Sequence, residues 1–351
     1  MCVYVCCSLS GSSERVQYFA ESIVPYLSFD DFRMHFRMSR TCFEMLARHL
    51  ATTTEFQFEQ SHGGRTPIAV DKALMICLWT LATPDSYRAI ANLFDVPKST
   101  VLLCVRRVCT ATIRTCCAQF VKFPKSKQEL TSNMQGFANM RGMQNVLGAI
   151  DGSHIAIKAP EVEPAAYVNR KGFYSIVLQA VVDSKLMFMD CYAGWPGSVH
   201  DARVFKNSPL FNFGAKVCSP NCLILGDAAY PLKSWLLVPY RDNGKLNAVQ
   251  RNFNFVHAAT RCTFERAFAL LKGQFRRLKY LDMKHMEDIM NVIMTCCIFH
   301  NICLLSDRDT DLFVNADVCD EPDGDMVPVR ECNDQDACTA RDEIAAMLSN
   351  L

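Results

Sequence analysis

Four acidic residues share a setting suited to chemistry. Asp151 closes the apolar run Val146-Leu147-Gly148-Ala149-Ile150, and Asp227 closes Cys222-Leu223-Ile224-Leu225-Gly226. Asp201 follows Gly194-Trp195-Pro196-Gly197-Ser198, a stretch that reads as a rigid loop, and Glu265 lies early on an amphipathic helical pattern whose apolar positions are Phe264, Phe268, Leu271 and Phe275. A strand buried on both faces reads as a near-continuous apolar run, and an acid at its end has to be hydrogen-bonded, paired or bound to a metal. Each acid also has a local account. Asp151-Gly152 suits a tight hairpin, Asp201 suits a helix N-cap, Asp227 suits a turn, and Glu265 can pair with Arg261 or Arg266. Taken together, these leave the repeated placement of acids at strand ends unexplained.

Brought to one place, the four carboxylates would repel one another unless divalent cations neutralised them. Oxygen-only ligands suit Mg²⁺ or Mn²⁺. Two such ions about 3.5 to 4 Å apart activate a water or a 3′-hydroxyl and stabilise the leaving oxygen during in-line attack on a phosphodiester. His154 and His200 stand beside the acids, but neighbouring histidines are more often structural, so neither belongs to the catalytic set.

The elements that must position these acids follow from periodicity. Residues 1–30 carry weak signals. From Asp30 to Leu50 the spacing of Phe32, Phe36, Phe43, Leu46 and Leu50 predicts an amphipathic helix or helix pair, with Ser39 capping the second. Thr53 to Pro67, with Gly63-Gly64, reads as a linker. Residues 69 to about 113 read as a small helical domain: a helix capped by Asp71, then Ser86 to Phe94, a turn at Asp95-Val96-Pro97, and a second helix opened by Ser99. A helix-turn-helix needs this arrangement, with Lys98, Ser99 and Thr100 at the start of the second helix and Arg106 and Arg107 along it to meet DNA. An ordinary core hairpin of helices has the same pattern. A helix from Gln128 to Phe137 follows. Tyr174–Asp183 and Leu186–Tyr192 predict a β-hairpin through Ser184-Lys185, and helices are expected over Thr263–Leu278 and Met286–Leu304. The acidic stretch from Asp307 reads as disordered, save for a last helix after Ala340. The expected organisation is therefore 1–30, a helical region over 31–140, an α/β domain over 141–305, and a tail over 306–351.

Composition narrows the class. The chain has 351 residues, half of them hydrophobic and 21% charged, which excludes a disordered chain. Lys and Arg number 37 against 36 acids, so any nucleic-acid site is a local basic patch. Candidates near the acids are Arg170, Lys171, Lys272, Arg276 and Arg277, for which a solvated basic surface is the plain alternative. The 19 cysteines include no C-x-x-C pair, so a zinc ribbon is not expected, and their apolar settings suggest reduced thiols in a cytosolic or nuclear compartment. No secretory signal or membrane span is expected.

Four blocks carry a family resemblance: Gly148-Ala149-Ile150-Asp151-Gly152-Ser153-His154-Ile155; Trp195-Pro196-Gly197-Ser198-Val199-His200-Asp201; Leu225-Gly226-Asp227-Ala228-Ala229-Tyr230-Pro231; and Arg261-Cys262-Thr263-Phe264-Glu265-Arg266-Ala267-Phe268 with Leu271-Lys272-Gly273-Gln274-Phe275-Arg276-Arg277-Leu278. In this order they resemble the PIF/Harbinger transposases and the nucleases derived from them, over roughly residues 36 to 305. The resemblance implies an α/β fold with an RNase H-like DDE nuclease core, preceded by a small all-α helix-turn-helix domain. It implies a DNA endonuclease dependent on Mg²⁺ or Mn²⁺, with Asp151 the first acid, Glu265 the last, and Asp201 and Asp227 both family acids and metal ligands. In such a core the second aspartate follows the fourth strand, which ranks Asp227 above Asp201 and makes Asp151, Asp227 and Glu265 the catalytic set. The family further implies a Myb-like partner that supplies sequence-specific DNA binding and nuclear entry, with the protein in nucleus and cytoplasm. Self-association is compatible with this, and no membrane partner is expected. The competing class is an inactive, domesticated relative acting as a DNA-binding or adapter protein. A glycosidase built on paired carboxylates fits less well, because nothing resembles a sugar-binding aromatic cleft.

Overall fold

The computed structural model describes residues 18–57, 67–218, 222–306 and 335–349. Apolar runs between 146 and 237 build one mixed sheet. β1 (Val146–Ala156), β2 (Ser175–Val182) and β3 (Phe188–Pro196) pair antiparallel in succession, while β4 (Leu223–Leu225) joins the other side of β1 in parallel and β5 (Leu236–Leu237) pairs parallel with β4. The spatial order is β3-β2-β1-β4-β5. The hairpin between β2 and β3 turns where expected: Asp183 Oδ1 accepts from the amides of Lys185 and Met187, and Leu186 adopts a left-handed φ of 67°.

Asp151 neither ends its strand nor forms a hairpin turn. β1 runs through it for another five residues, because β2 continues to pair with β1 as far as Ala156↔Ser175. What ends near Asp151 is the other neighbour: β4 pairs with β1 only as far as Ala149↔Leu225. The acid therefore marks the point where one side of a continuing strand becomes open.

Helices cover both faces. α1 (Phe29–Phe36) and α2 (Arg40–Ala51) form the expected pair, capped by Ser28 and Ser39 through bonds from the amides of Asp31 and Cys42. α3 (Val70–Ala82), α4 (Tyr87–Leu93) and α5 (Lys98–Phe120) follow, with Ser86 capping α4. α3 starts after Ala69 rather than being capped by Asp71, which lies in its first turn. α5 likewise starts one residue earlier than expected: Pro97 takes the N-cap position in extended geometry, so Ser99 is inside the helix. α6 (Lys127–Arg141) opens on a full capping box between Ser126 and Glu129. α7 (Asp201–Asn207), α8 (Pro209–Val217), α9 (Ala248–Gln274), α10 (Met286–Ser306) and α11 (Gln335–Ser349) complete the described elements. α9 begins well before the Thr263 start expected from its apolar stripe, because Asn247 and Gln250 form a capping box there.

The helical segment does not close a core of its own. Buried residues of α2, α3 and α5 belong to one apolar cluster with Ile176, Leu178 and Ala180 of β2, with Phe264 and Phe268 of α9, and with most of α10. A second cluster on the opposite sheet face joins Ile150 and Val181 to Phe205, Tyr230, Trp235 and α11. α10 is long and apolar enough to cross a membrane, yet most of it is buried inside the fold, where it serves as the common core helix. Among the described residues the cysteines are reduced thiols rather than disulfides, and most are buried.

Asn301 locks α10 to both neighbours. Its Oδ1 accepts from the Phe188 amide at 2.9 Å, and its Nδ2 donates to the carbonyls of Phe188 (2.7 Å) and Phe120 (2.8 Å). A buried backbone group stripped of its partner costs about 1 to 3 kcal/mol, so Asn301→Ala should lower unfolding stability by roughly 2 to 5 kcal/mol, measured as a drop in the urea midpoint at unchanged m. A loss under about 0.5 kcal/mol would contradict the clamp.

Candidate active site

Strand register brings the first two acids together. Extending the parallel pairing Ala149↔Leu225 by two residues sets Asp151 beside Asp227, just past the end of β4. There Asp227 turns the chain back, its Oδ1 accepting from the Ala229 amide at 2.9 Å. The turn role and the cluster role of Asp227 thus coexist. Asp151 lies on the same sheet face as Ala149 and Ala180, the face covered by α9.

Asp201 arrives from the other side. Gly197 donates its amide to the Ser175 carbonyl at 2.9 Å, and any side chain there would collide with Ser175 and the Tyr167 carbonyl. This contact fixes the path from β3 into α7. His200 occupies the N-cap and Asp201 the first helical position, so Asp201 is not the cap expected from its local account. Its carboxylate rests over Gly152, where a Cβ would collide with it. The glycine after Asp151 therefore serves close approach within a strand rather than a turn.

The result is a cluster in which Asp151, Asp201 and Asp227 each offer a carboxylate oxygen, all within 4.8 Å of one another, and all three residues are half-buried. Glu265 stands outside this group, exposed on α9. One turn earlier on the same helix, the Arg261 guanidinium donates to Asp151 Oδ2, while Asp151 Oδ1 accepts from the Gly152 amide at 2.8 Å. Burial pushes the Asp151 carboxyl up to about 6; the charge of Asp227 adds to the rise and Arg261 opposes it. Burial disfavours the charge of Arg261, but Asp151, Asp227 and Glu265 outweigh it and hold its pKa above the usual value. The phenol of Tyr230 is buried, and its hydroxyl has no hydrogen-bond partner among the described residues. Burial, followed by the charges of Asp201, Asp151 and Asp227, pushes it well above its ordinary pKa.

An all-oxygen donor set of three aspartates fits a hard divalent cation, and the orphaned Tyr230 hydroxyl fits a site completed by a further polar group. Sequence reasoning treated Arg261 only as a partner for Glu265 and assigned Tyr230 no role. The signal for Arg261 was its spacing: four residues before Glu265 on a helix is one turn on the same face.

The basic candidates separate into two groups. Arg170 and Lys171 are exposed on the loop after β1, with Arg170 Nη2 donating to His200 Nδ1 at 2.6 Å, next to Asp201. Arg276, Lys98 and Ser99 are exposed, and Thr100 is half-buried. The others are engaged by groups of the protein itself. Arg106 makes a bidentate pair with Asp288, Arg107 donates to the Glu55 carbonyl and stacks over Phe56, and Arg277 donates to the carbonyls of Thr80 and Asp85. Lys272 is buried, its Nζ 3.4 Å from the His154 carbonyl. For these four, expected as DNA contacts, the cationic groups serve to join elements.

Comparison with known proteins agrees with the motifs. Residues 150–301 match the family model described as DDE superfamily endonuclease. The human protein named "Putative nuclease HARBI1" is 31% identical over 212 residues, covering 60% of each chain. From Arabidopsis thaliana, Protein ALP1-like is 29% identical over 291 residues, 77% of this chain and 70% of its own, and Antagonist of like heterochromatin protein 1 is 29% identical over 252 residues, 67% and 62%. The chain thus spans about 60% of the length of the HARBI1 protein it matches. No solved structure matches. Residues 150–301 are thus similar to DDE superfamily endonucleases, and the chain is similar to proteins named putative nuclease HARBI1 and ALP1-like.

Two outcomes follow from this geometry. Gly152→Ala should displace the Asp201 carboxylate, abolishing Mn²⁺ binding at the cluster while costing about 1 to 3 kcal/mol of stability; unaltered Mn²⁺ binding would show that Asp201 is not held over Gly152. The second concerns pH. A carboxyl raised in the folded state binds its proton more tightly there than in the unfolded chain, so stability is higher below the unfolded value and declines as pH rises from about 4 to about 6. The contribution of Asp151 to that decline is at most about 3 kcal/mol, since each tenfold gain in proton affinity on folding is worth about 1.4 kcal/mol. Urea unfolding of metal-free protein between pH 4 and 6.5 should show a shallower decline in Asp151→Asn than in the wild type; equal slopes would refute the assignment.

Proposed function

We propose that the chain is a divalent-metal-dependent DNA endonuclease of transposase origin, with an RNase H-like core, that cleaves phosphodiester bonds with two Mg²⁺ or Mn²⁺ ions. The observation that carries this reading is the convergence of Asp151, Asp201 and Asp227 from three separate elements to within 4.8 Å. Like charges are gathered in this way only where something compensates them. The position of Asp227 after the fourth strand supports the RNase H-like assignment.

Asp151, Asp201 and Asp227 would hold the metal, with Glu265 as the fourth acid. When bound, the metal supplies Lewis-acid stabilisation of the phosphodiester and activation of the attacking oxygen. The chain's own groups do the positioning. Gly152 admits the Asp201 carboxylate, the Gly152 amide orients Asp151, and the turn at Asp227 fixes the third carboxylate. Arg170, paired with His200 next to Asp201, is suited to hold a DNA phosphate near the acids, and exposed Lys171 and Arg276 to hold phosphates further along the strand. The exposed start of α5, at Lys98 and Ser99, is suited to a helix-turn-helix contact with DNA. A Myb-like partner that supplies sequence specificity and nuclear entry belongs to this proposal, as does a distribution between nucleus and cytoplasm.

One observation favours a second reading, an inactive relative that binds DNA or bridges to such a partner. Glu265 stands outside the acid cluster and Arg261 is bonded to Asp151. A plasmid-nicking assay with Mg²⁺ or Mn²⁺ separates the two. Cleavage should appear only with metal and fall about 10²- to 10³-fold in Asp151→Ala and in Glu265→Ala, a loss on the scale of removing a major electrostatic stabiliser. No metal-dependent cleavage by the folded wild type, with DNA binding intact, would establish the adapter reading instead.

A further inference from the structure

We infer that Arg261 is the resident cation of the acid cluster, a positioning residue that a divalent metal must displace from Asp151 in order to bind there. This rests on the metal-dependent reading above and goes beyond it, because it assigns the site two alternative charge-compensated states.

Both oxygens of Asp151 are engaged: Oδ1 accepts from the Gly152 amide and Oδ2 from the Arg261 guanidinium. The two side chains of the ion pair are only 19% and 17% exposed, so neither charge is solvated well enough to stand alone. Asp201 and Asp227 each offer an oxygen within 4.8 Å of that of Asp151, so Arg261 holds one corner of an all-oxygen donor set that suits a divalent cation. A guanidinium and a divalent cation at the same carboxylate oxygen repel each other strongly in a shielded setting. One has to leave for the other to enter.

The helix explains what the exchange accomplishes. Arg261 and Glu265 lie one turn apart on α9, and Arg261 holds the place beside Asp151 while Glu265 remains exposed outside the cluster. Removal of the guanidinium from Asp151 opens this helix face to the fourth acid. The apparent misfit between Glu265 and the three aspartates is then a property of the Arg-compensated state.

The test uses the full chain and Mn²⁺ alone, titrated by calorimetry and by the electron-spin signal of free Mn²⁺, with no DNA present. Arg261→Gln should bind Mn²⁺ at least 10-fold more tightly than the wild type. It should also melt at lower temperature without metal and recover on addition of Mn²⁺. Arg261→Lys, which keeps the charge but lacks the planar fork, should fall between the two. An ordinary structural arginine would behave oppositely, since its loss loosens the site and weakens binding. Equal or weaker Mn²⁺ affinity in folded Arg261→Gln overturns the inference while leaving the metal site standing. Absence of Mn²⁺ binding in both wild type and Arg261→Gln removes the metal-dependent reading, and the inference with it. If Arg261→Gln does not fold even with Mn²⁺, the lysine variant decides: tighter binding than the wild type supports the exchange, and equal or weaker binding refutes it.

Discussion

Mutual repulsion among three carboxylates is the constraint around which the molecule is arranged. Asp151, Asp201 and Asp227 are drawn within 4.8 Å from the middle of a strand, the first residue of a helix and the turn after another strand. None of these elements would hold its acid there unaided. Asp201 needs a glycine beneath it, Asp227 needs the end of β4, and Asp151 needs a strand that continues past its parallel neighbour. Arg261 and the Gly152 amide then compensate part of the charge. Holding the Asp151 carboxylate in so shielded a place costs stability when it is ionised, which is why burial raises its pKa.

How much of this was legible in the sequence depends on the range of the interaction involved. Local patterns read unevenly. Ser39 caps the helix it precedes and Ser184-Lys185 lies in the turn between β2 and β3, whereas Asp71, Ser99 and Asp201, each suited to a cap, fall inside the first turns of their helices. The four acids could be singled out from their settings alone, and three of them do meet. The fourth could not be placed, since whether Glu265 or Arg261 lies beside Asp151 depends on how α9 is rotated against the sheet, and the helical repeat alone leaves that open. The same limit applies to Arg106, Arg107, Lys272 and Arg277. As sequence they are basic residues on helices, and only packing shows that carboxylates and carbonyls elsewhere in the chain already engage them. Asp151-Gly152 is the instructive case. Turn chemistry and close approach to a carboxylate ask for the same dipeptide, and only the strand's two neighbours, paired over different lengths, distinguish them.

The shared core changes the picture of organisation suggested by the sequence. Residues 31–140 read as a helical region followed by an α/β domain, yet α5, against which α3 packs, buries its apolar face against α10, which also lies on β3 through Asn301. Arg106 binds Asp288 across the same seam, joining residues far apart in sequence. The helical segment is thereby fastened, through α10, to the sheet that carries the acids.

α9 runs unbroken for 27 residues, about 40 Å at the rise of an α-helix. It is gripped at intervals along its length: Asn254 holds the backbone of Tyr240, His257 donates to the Leu237 carbonyl, and Gln274 near the far end donates to the Arg37 carbonyl. A rod pinned at both ends cannot slide or rotate to present a different residue to the sheet. Any change of partner at Asp151 is therefore a matter of side-chain torsions rather than of collective motions of the backbone. The tempo of charge exchange at the cluster is set by desolvation of the groups that trade places, and the scaffold around them stays still.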